Sequence, residues 1–202
     1  AFSLPNIEKT TPTYWMRASE VYFLRAEGAL IGWNMGDTAE NLYRKGVETS
    51  FTENGIEVTK VADYLSSNKT PAVFDTFYWG DAPAPTHLTT QFTGTNEQKL
   101  EKIITQKWIA LYPNGQEAWT EWRRTGYPRQ INPVAYNADA IHGNTIKSTD
   151  GRTKGVRRAI YPQSEYTGEN RENVLRGVQL LGPGAVDDCN THLWWDVNPN
   201  TR

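Results

Sequence analysis

Arg17-Ala18-Ser19-Glu20-Val21-Tyr22-Phe23-Leu24-Arg25-Ala26-Glu27-Gly28-Ala29-Leu30 is the stretch on which the fold class turns. It has no proline, and its apolar residues recur every three or four positions. That spacing predicts a helix from about Thr13 to Trp33, with Trp15, Ala18, Tyr22, Ala26, Ala29 and Trp33 as one stripe. The alanines in the stripe let a neighbouring helix come close. Glu20 and Glu27 lie seven residues apart, so they share a face at roughly 10 Å of rise. Carboxylates on a packed helix serve either chemistry or architecture, and the rest of the chain must decide which.

Beyond Gly36 the pattern restarts. Asp37-Thr38-Ala39-Glu40 reads as an N-cap with a glutamate three residues on, Asp37 taking the cap role. A second helix follows, with Ala39, Leu42, Tyr43, Gly46, Val47 and Ser50 on one face, and Asn54-Gly55 closes it. A shorter third helix over about Glu57 to Ser67 sets Val58, Val61, Ala62 and Leu65 in register. Two antiparallel helices with small residues on their inner faces match the tetratricopeptide kind of hairpin. One such unit cannot bury both of its faces alone and needs neighbours.

Residues 68–91 break the helical period. Pro71, Gly80, Pro83 and Pro85 punctuate a loop that carries Phe74, Phe77, Tyr78 and Trp79. Such a loop is either an aromatic plug over the core or a recognition patch. The clearest helix comes next: Leu100, Ile103, Ile104, Lys107, Trp108 and Leu111 repeat with helical spacing, and Pro113 and Gly115 end it. A further helix, Gln116 to Thr125, has Ala118, Trp119 and Trp122 on one side and Glu117, Glu121, Arg123 and Arg124 on the other. The Glu117/Glu121 pair reads as a solvated or salt-bridged face, with Arg124 relieving the repulsion. Residues 126–163 have little periodicity, and a long irregular segment of this kind is functional or wraps a partner domain. A last helix over about Asn170 to Leu181 carries Val174, Leu175 and Val178 before Gly182-Pro183-Gly184. No set of strands emerges, so the fold class is mainly α.

Composition bounds the function. A chain of 202 residues with a formal net charge of -2 gives no reason to expect nucleic acid or an acidic membrane as partner. The one basic cluster, Arg152 to Arg158, reads as a solvated loop. Eight Trp and ten Tyr are a high aromatic load, and flat rings with a polar edge suit recognition surfaces that stack on sugars. The competing reading assigns most of them to helix packing. Cys189 is the sole cysteine, which excludes an intramolecular disulfide and a cysteine-rich zinc site. No apolar run approaches the about 18 residues of a membrane span. The N-terminal residues show no basic region followed by an apolar core, so location is not legible from composition.

Glu20 and Glu27 would suit an inverting, all-helical glycosidase; the architectural alternative pairs each with an arginine of a packed neighbour, or with Arg17 or Arg25. Asp187, Asp188, Asn190 and Asp196 form an oxygen-rich cluster that lacks the Gly and Glu positions of an EF-hand, so no metal site is assigned. His87, His142 and His192 lack ligand spacing. Neither a nucleophile elbow nor a glycine-rich phosphate loop is present, and no cofactor is expected.

Three motifs in order carry a resemblance. They are Arg17 through Ala29; Lys107-Trp108-Ile109-Ala110-Leu111 with Glu117-Ala118-Trp119-Thr120-Glu121-Trp122-Arg123-Arg124-Thr125-Gly126-Tyr127-Pro128; and Arg158-Ala159-Ile160-Tyr161-Pro162 through Glu165, Asn170 and Asn173. Leu193-Trp194-Trp195-Asp196 adds to them. From about Tyr14 to Asp196 the chain resembles the SusD/RagB family of nutrient-binding outer-membrane lipoproteins, in particular its SusD-like branch.

The resemblance implies a tetratricopeptide-like helical superhelix with an irregular second half. It also implies a cell-surface lipoprotein that is not an enzyme, binds oligosaccharide or another nutrient, and passes it to a SusC-like TonB-dependent transporter. Family members are more than twice as long, so residues 1–202 are expected to be the C-terminal part of one such domain, without the lipid-anchor cysteine and the first hairpins. Within it, residues 14–67 form the hairpin region, 95–126 a helix pair and 127–202 an irregular region. Tyr78 and Trp79, with Asp81 as polar neighbour, are the candidate ligand residues by their loop position. The alternatives are a glycoside hydrolase using Glu20 and Glu27, and a tetratricopeptide scaffold that grips a peptide with its first two helices.

Overall fold

The structure is a computed structural model that describes residues 5, 7–73, 84–129, 157–182, 185–187 and 191–197. Among the described residues it is all-helical: α1 Ala18–Leu30, α2 Ala39–Glu53, a 3-10 turn Val58–Lys60, α3 Val61–Ser66, α4 Asn96–Ala110, α5 Gly115–Thr125, α6 Gln163–Thr167 and α7 Arg171–Gln179. No helix among these residues is long and apolar enough to cross a membrane.

α1 and α2 form the expected antiparallel hairpin, and α4 packs across it. The core is Phe23 and Ala26 of α1, Leu42, Tyr43 and Val47 of α2, Val61 of α3, and Ile103 and Ala110 of α4. The inner face of α2 matches its sequence pattern: Leu42, Tyr43, Gly46 and Val47 are buried. Phe23 meets Tyr43 edge-on at 6.2 Å, and Tyr43 meets Phe92 at 4.9 Å. Each such ring, fully buried, contributes on the order of 2 kcal/mol by removing apolar surface from water.

The face and length of α1 differ from the periodicity reading. The helix begins at Ala18 and ends at Leu30, not at Thr13 and Trp33, and its buried positions are Ser19, Glu20, Phe23, Ala26 and Gly28. Trp15 and Trp33 are 92% and 64% exposed. The N-terminus of α1 lacks a side-chain cap of its own, because Arg17 stands at the cap position. Glu53, the last residue of α2, supplies one: its carboxylate accepts from the Ser19 amide at 3.2 Å and the Ser19 hydroxyl at 2.5 Å. A carboxylate there also complements the positive end of the helix. Arg25 donates to the Met35 carbonyl at 2.6 Å and closes the connection to α2.

The cap of α2 is Thr38, not Asp37; the Thr38 hydroxyl accepts from the Asn41 amide. Asp37 instead accepts from the Thr38 amide and the Asn41 side chain and pairs with Lys45 at 2.9 Å. Those bonds, Asn41 first, bring its carboxyl down to about 2. Gly55, with φ +67, stops α2 as expected. The third helical stretch is split by the 3-10 turn, and only Val61 of its four aligned residues is buried, so the register reading fails for Val58 and Ala62.

α4 carries a full capping box, Thr95 with Gln98, and is enclosed from Glu101 to Lys107 on almost every side. The described part of the loop before it, from Ala84, is bound to the hairpin and to α4. The Tyr43 hydroxyl donates to the Thr90 carbonyl at 2.9 Å, Lys102 donates to the Thr93 carbonyl at 2.9 Å, and Thr86 donates to Glu101 at 2.7 Å. Gly115 starts α5 instead of merely ending α4, with Asn114 as cap, and Gly126 ends α5 at φ +76.

Candidate functional site

Lys107 sits at the junction of α1, α4 and α5 and is 1% exposed in its side chain. Its ammonium group lies 3.1 Å from Glu121, 3.5 Å from Glu20 and 3.5 Å from Glu117. Glu121 continues the chain of charges to Arg124 at 2.7 Å, and Arg124 holds both oxygens of Glu27 at 2.6 and 2.7 Å. Both heptad-spaced glutamates of α1 are thus engaged by cations. Glu27 meets Arg124 of α5, and Glu20 meets Lys107 of α4. Of the two readings of the Glu117/Glu121 face, solvated or salt-bridged, the salt-bridged one holds for Glu121, which is buried between Lys107 and Arg124. Burial pushes its carboxyl up, but the Arg124 bonds and the Lys107 charge outweigh this and hold it below its ordinary value.

A second ionic centre holds the C-terminal segment. Arg157 is fully buried; it donates to both oxygens of Asp196 and to the Arg123 carbonyl, and it lies over the Trp122 ring at 5.2 Å. The Arg123 guanidinium lies between the rings of Trp119 at 4.4 Å and Trp195 at 4.9 Å. Arg158 donates to Asp187, which also accepts from the Tyr166 hydroxyl at 2.6 Å and the Tyr161 amide at 3.0 Å. The solvated-loop reading of the basic cluster is therefore wrong for Arg157 and Arg158. Residues 152–156 lie outside the described residues. Asp187 and Asp196 are committed to arginines, Asp188 and Asn190 lie outside the description, and no metal-holding group of His, Cys, Asp or Glu occurs among the described residues.

Tyr78, Trp79 and Asp81, with Phe74 and Phe77, lie outside the described residues. Within the described residues a cleft of about 730 Å³ opens between the segment preceding α1 and the α4–α5 turn. Tyr14, Trp15 and Tyr112 furnish aromatic surface, and Arg17, Asn114 and Gln116 furnish polar groups. Sequence reasoning missed this cleft because it placed Trp15 on the packed stripe of α1.

A helical hairpin braced by a crossing helix, with cations on its carboxylates, defines an all-α protein of the tetratricopeptide-like kind. The family model of SusD-like proteins, the Susd and RagB outer membrane lipoproteins, matches residues 1–196, and the chain belongs to that family. The family places it at the outer membrane. A SusD homologue from Bacteroides thetaiotaomicron superposes with a TM-score of 0.80 at 39% identity, covering 96% of this chain and 40% of its own. A chitin-binding SusD homologue from Flavobacterium johnsoniae gives 0.73 at 43% identity, over 92% of this chain and 37% of its own. A SusD homologue from Bacteroides ovatus gives 0.74 at 44% identity, over 91% and 37%. No curated protein sequence matches the chain. The chain thus spans about two-fifths of the length of these relatives.

Proposed function

We propose that this protein binds an oligosaccharide or other nutrient at the bacterial cell surface, without turning it over, and hands it to a SusC-like TonB-dependent outer-membrane transporter. The observation that carries the reading is the 43% identity, over 92% of this chain, to a homologue described as chitin-binding. A lipid anchor holds the protein at the membrane, and residues 1–202 form the C-terminal part of one SusD-like domain.

Tyr78 and Trp79 offer ring faces to the C–H faces of pyranose units, and Asp81 accepts from hydroxyls. The fixed cations on Glu20 and Glu27 support a binding role over hydrolysis. A glycosidase acid must be free to give up a proton to the leaving group, and both oxygens of Glu27 already accept from Arg124. A glycan array that includes chitooligosaccharides, probed with the complete polypeptide encoded by the gene, tests the reading. Binding to a defined glycan class without reducing-sugar release is expected. Turnover abolished by Glu27→Gln would replace the reading with hydrolysis.

A further inference from the structure

Arg123 and Arg157 form a cationic centre between α5 and the segment 191–197. Arg157 is fully buried, and both oxygens of Asp196 accept from it. It also donates to the Arg123 carbonyl at 2.8 Å and stands over the Trp122 ring at 5.2 Å. Asp196 is thereby committed to Arg157, with His192 Nδ1 3.0 Å from one of its oxygens. Arg123, between the Trp119 and Trp195 rings, has no ion pair among the described residues.

Buried donors outnumber acceptors in this centre. Among the described residues, seven buried side-chain nitrogen or oxygen atoms have no hydrogen-bond partner. Four of the seven are N–H donors of three residues gathered here: Trp122 Nε1, Arg123 Nε and Nη2, and Arg157 Nη1. Indole and guanidinium groups only donate, so the group that matches them is an acceptor. Charge points the same way. Burial, and then the charge of Arg157, hold the Arg123 guanidinium below its ordinary pKa, and Asp196 opposes them. Two cations face one carboxylate, and a buried charge without a counterion is costly.

We propose that Arg123, Arg157 and the Trp122 indole bind one small monovalent anion, a halide ion or the carboxylate of an acidic sugar. The guanidinium edge, with its parallel N–H donors, suits such an anion. Trp195, one of the two rings on Arg123 and 44% exposed, is the door, and it turns aside to admit the ion. The assignment does not rest on the glycan reading of Tyr78 and Trp79. A free halide serves the fold by neutralising the centre, whereas a sugar carboxylate makes the centre a second ligand site.

The test titrates the complete encoded polypeptide, in chloride-free buffer, with sodium chloride and separately with sodium glucuronate. Sodium methanesulfonate holds the ionic strength constant, and glucose is the neutral control. Tryptophan fluorescence and Tm are read. A saturating response to at least one of the two anions is expected, and none to glucose, with Tm raised by about 3 °C or more at saturation. Arg123→Met is expected to weaken the apparent Kd at least about tenfold, and Arg123→Lys, which keeps the charge, to retain part of the response. Saturation by chloride marks a free inorganic ion as the occupant; saturation by glucuronate and not by chloride marks a sugar carboxylate. A crystal of the wild-type polypeptide, grown with sodium bromide or with glucuronate if only that saturates, gives a readout that needs no variant to fold. The anion is expected beside the Arg123 and Arg157 nitrogens. No saturating response, an equal response in Arg123→Met, an adventitious ion only at the surface, or a carboxylate of the polypeptide itself seated on Arg123 overturns the proposal.

Discussion

The Phe23 ring stands where a side chain at position 46 would project: a Cβ built on Gly46 would lie 2.6 Å from Phe23 Cε1. α1 and α2 approach so closely because α2 has no side chain there, and the hairpin that defines the fold depends on this contact. Gly46→Ala must displace a fully buried ring. The gain in helix propensity, about 1 kcal/mol, is outweighed by overpacking of about 1–3 kcal/mol. Denaturant unfolding should show net destabilisation, and adding Phe23→Leu to the variant should recover part of it.

Lys107→Met leaves Glu20 and Glu121 buried without their shared cation. Removing one partner of a buried charge set costs about 3–5 kcal/mol. Unfolding free energies of wild type and variant at neutral pH check this.

Glu121 carries its own pH signature. Its carboxyl is held below its ordinary value of 4.5 in the folded chain, burial opposing and Arg124 and Lys107 prevailing. Such a group adds stability above the unfolded value and loses it as pH falls through the lower folded value. Wild-type Tm should fall as pH drops below about 4.5, and Glu121→Gln should flatten part of that fall.

Asp196→Asn keeps the shape of the side chain and removes the charge that faces the fully buried Arg157. Expected are a loss of about 3–5 kcal/mol and faster amide exchange in residues 191–197, read by hydrogen–deuterium exchange.

Legibility followed the physics of each element. The inner face of α2 was readable because its apolar residues occupy one side only. α1 was misread in its length: Ala26 of the stripe is buried and Tyr22 and Ala29 pack against the core, but the helix runs from Ala18 to Leu30, so Trp15 and Trp33 at the ends of the stripe lie outside it. The cap slipped by one residue because Asp37 and Thr38 are both competent caps, and Lys45 claims Asp37. The capping box Thr95-Asn96-Glu97-Gln98 was present in the sequence as a signal and passed unused. Lys107 was aligned with the apolar stripe of its helix, which was the available sign of a buried cation. Its partners come from α1 and α5, and no local pattern encodes them. Arg157 and Arg158 look solvated among Gly and Thr because their carboxylates lie 39 and 29 residues downstream. Tyr78, Trp79 and Asp81 stand on loop composition alone.

The proposed function makes this protein a non-catalytic glycan receptor whose aromatic loop holds the sugar. Isothermal titration of the complete polypeptide and its Trp79→Ala variant, with the glycan that the array selects, tests it most directly. The account predicts affinity weakened about tenfold or more, about 1.4 kcal/mol, with Tm within about 1 °C of wild type and no hydrolysis. Unchanged affinity, or a large fall in Tm that places Trp79 in the core, would contradict it.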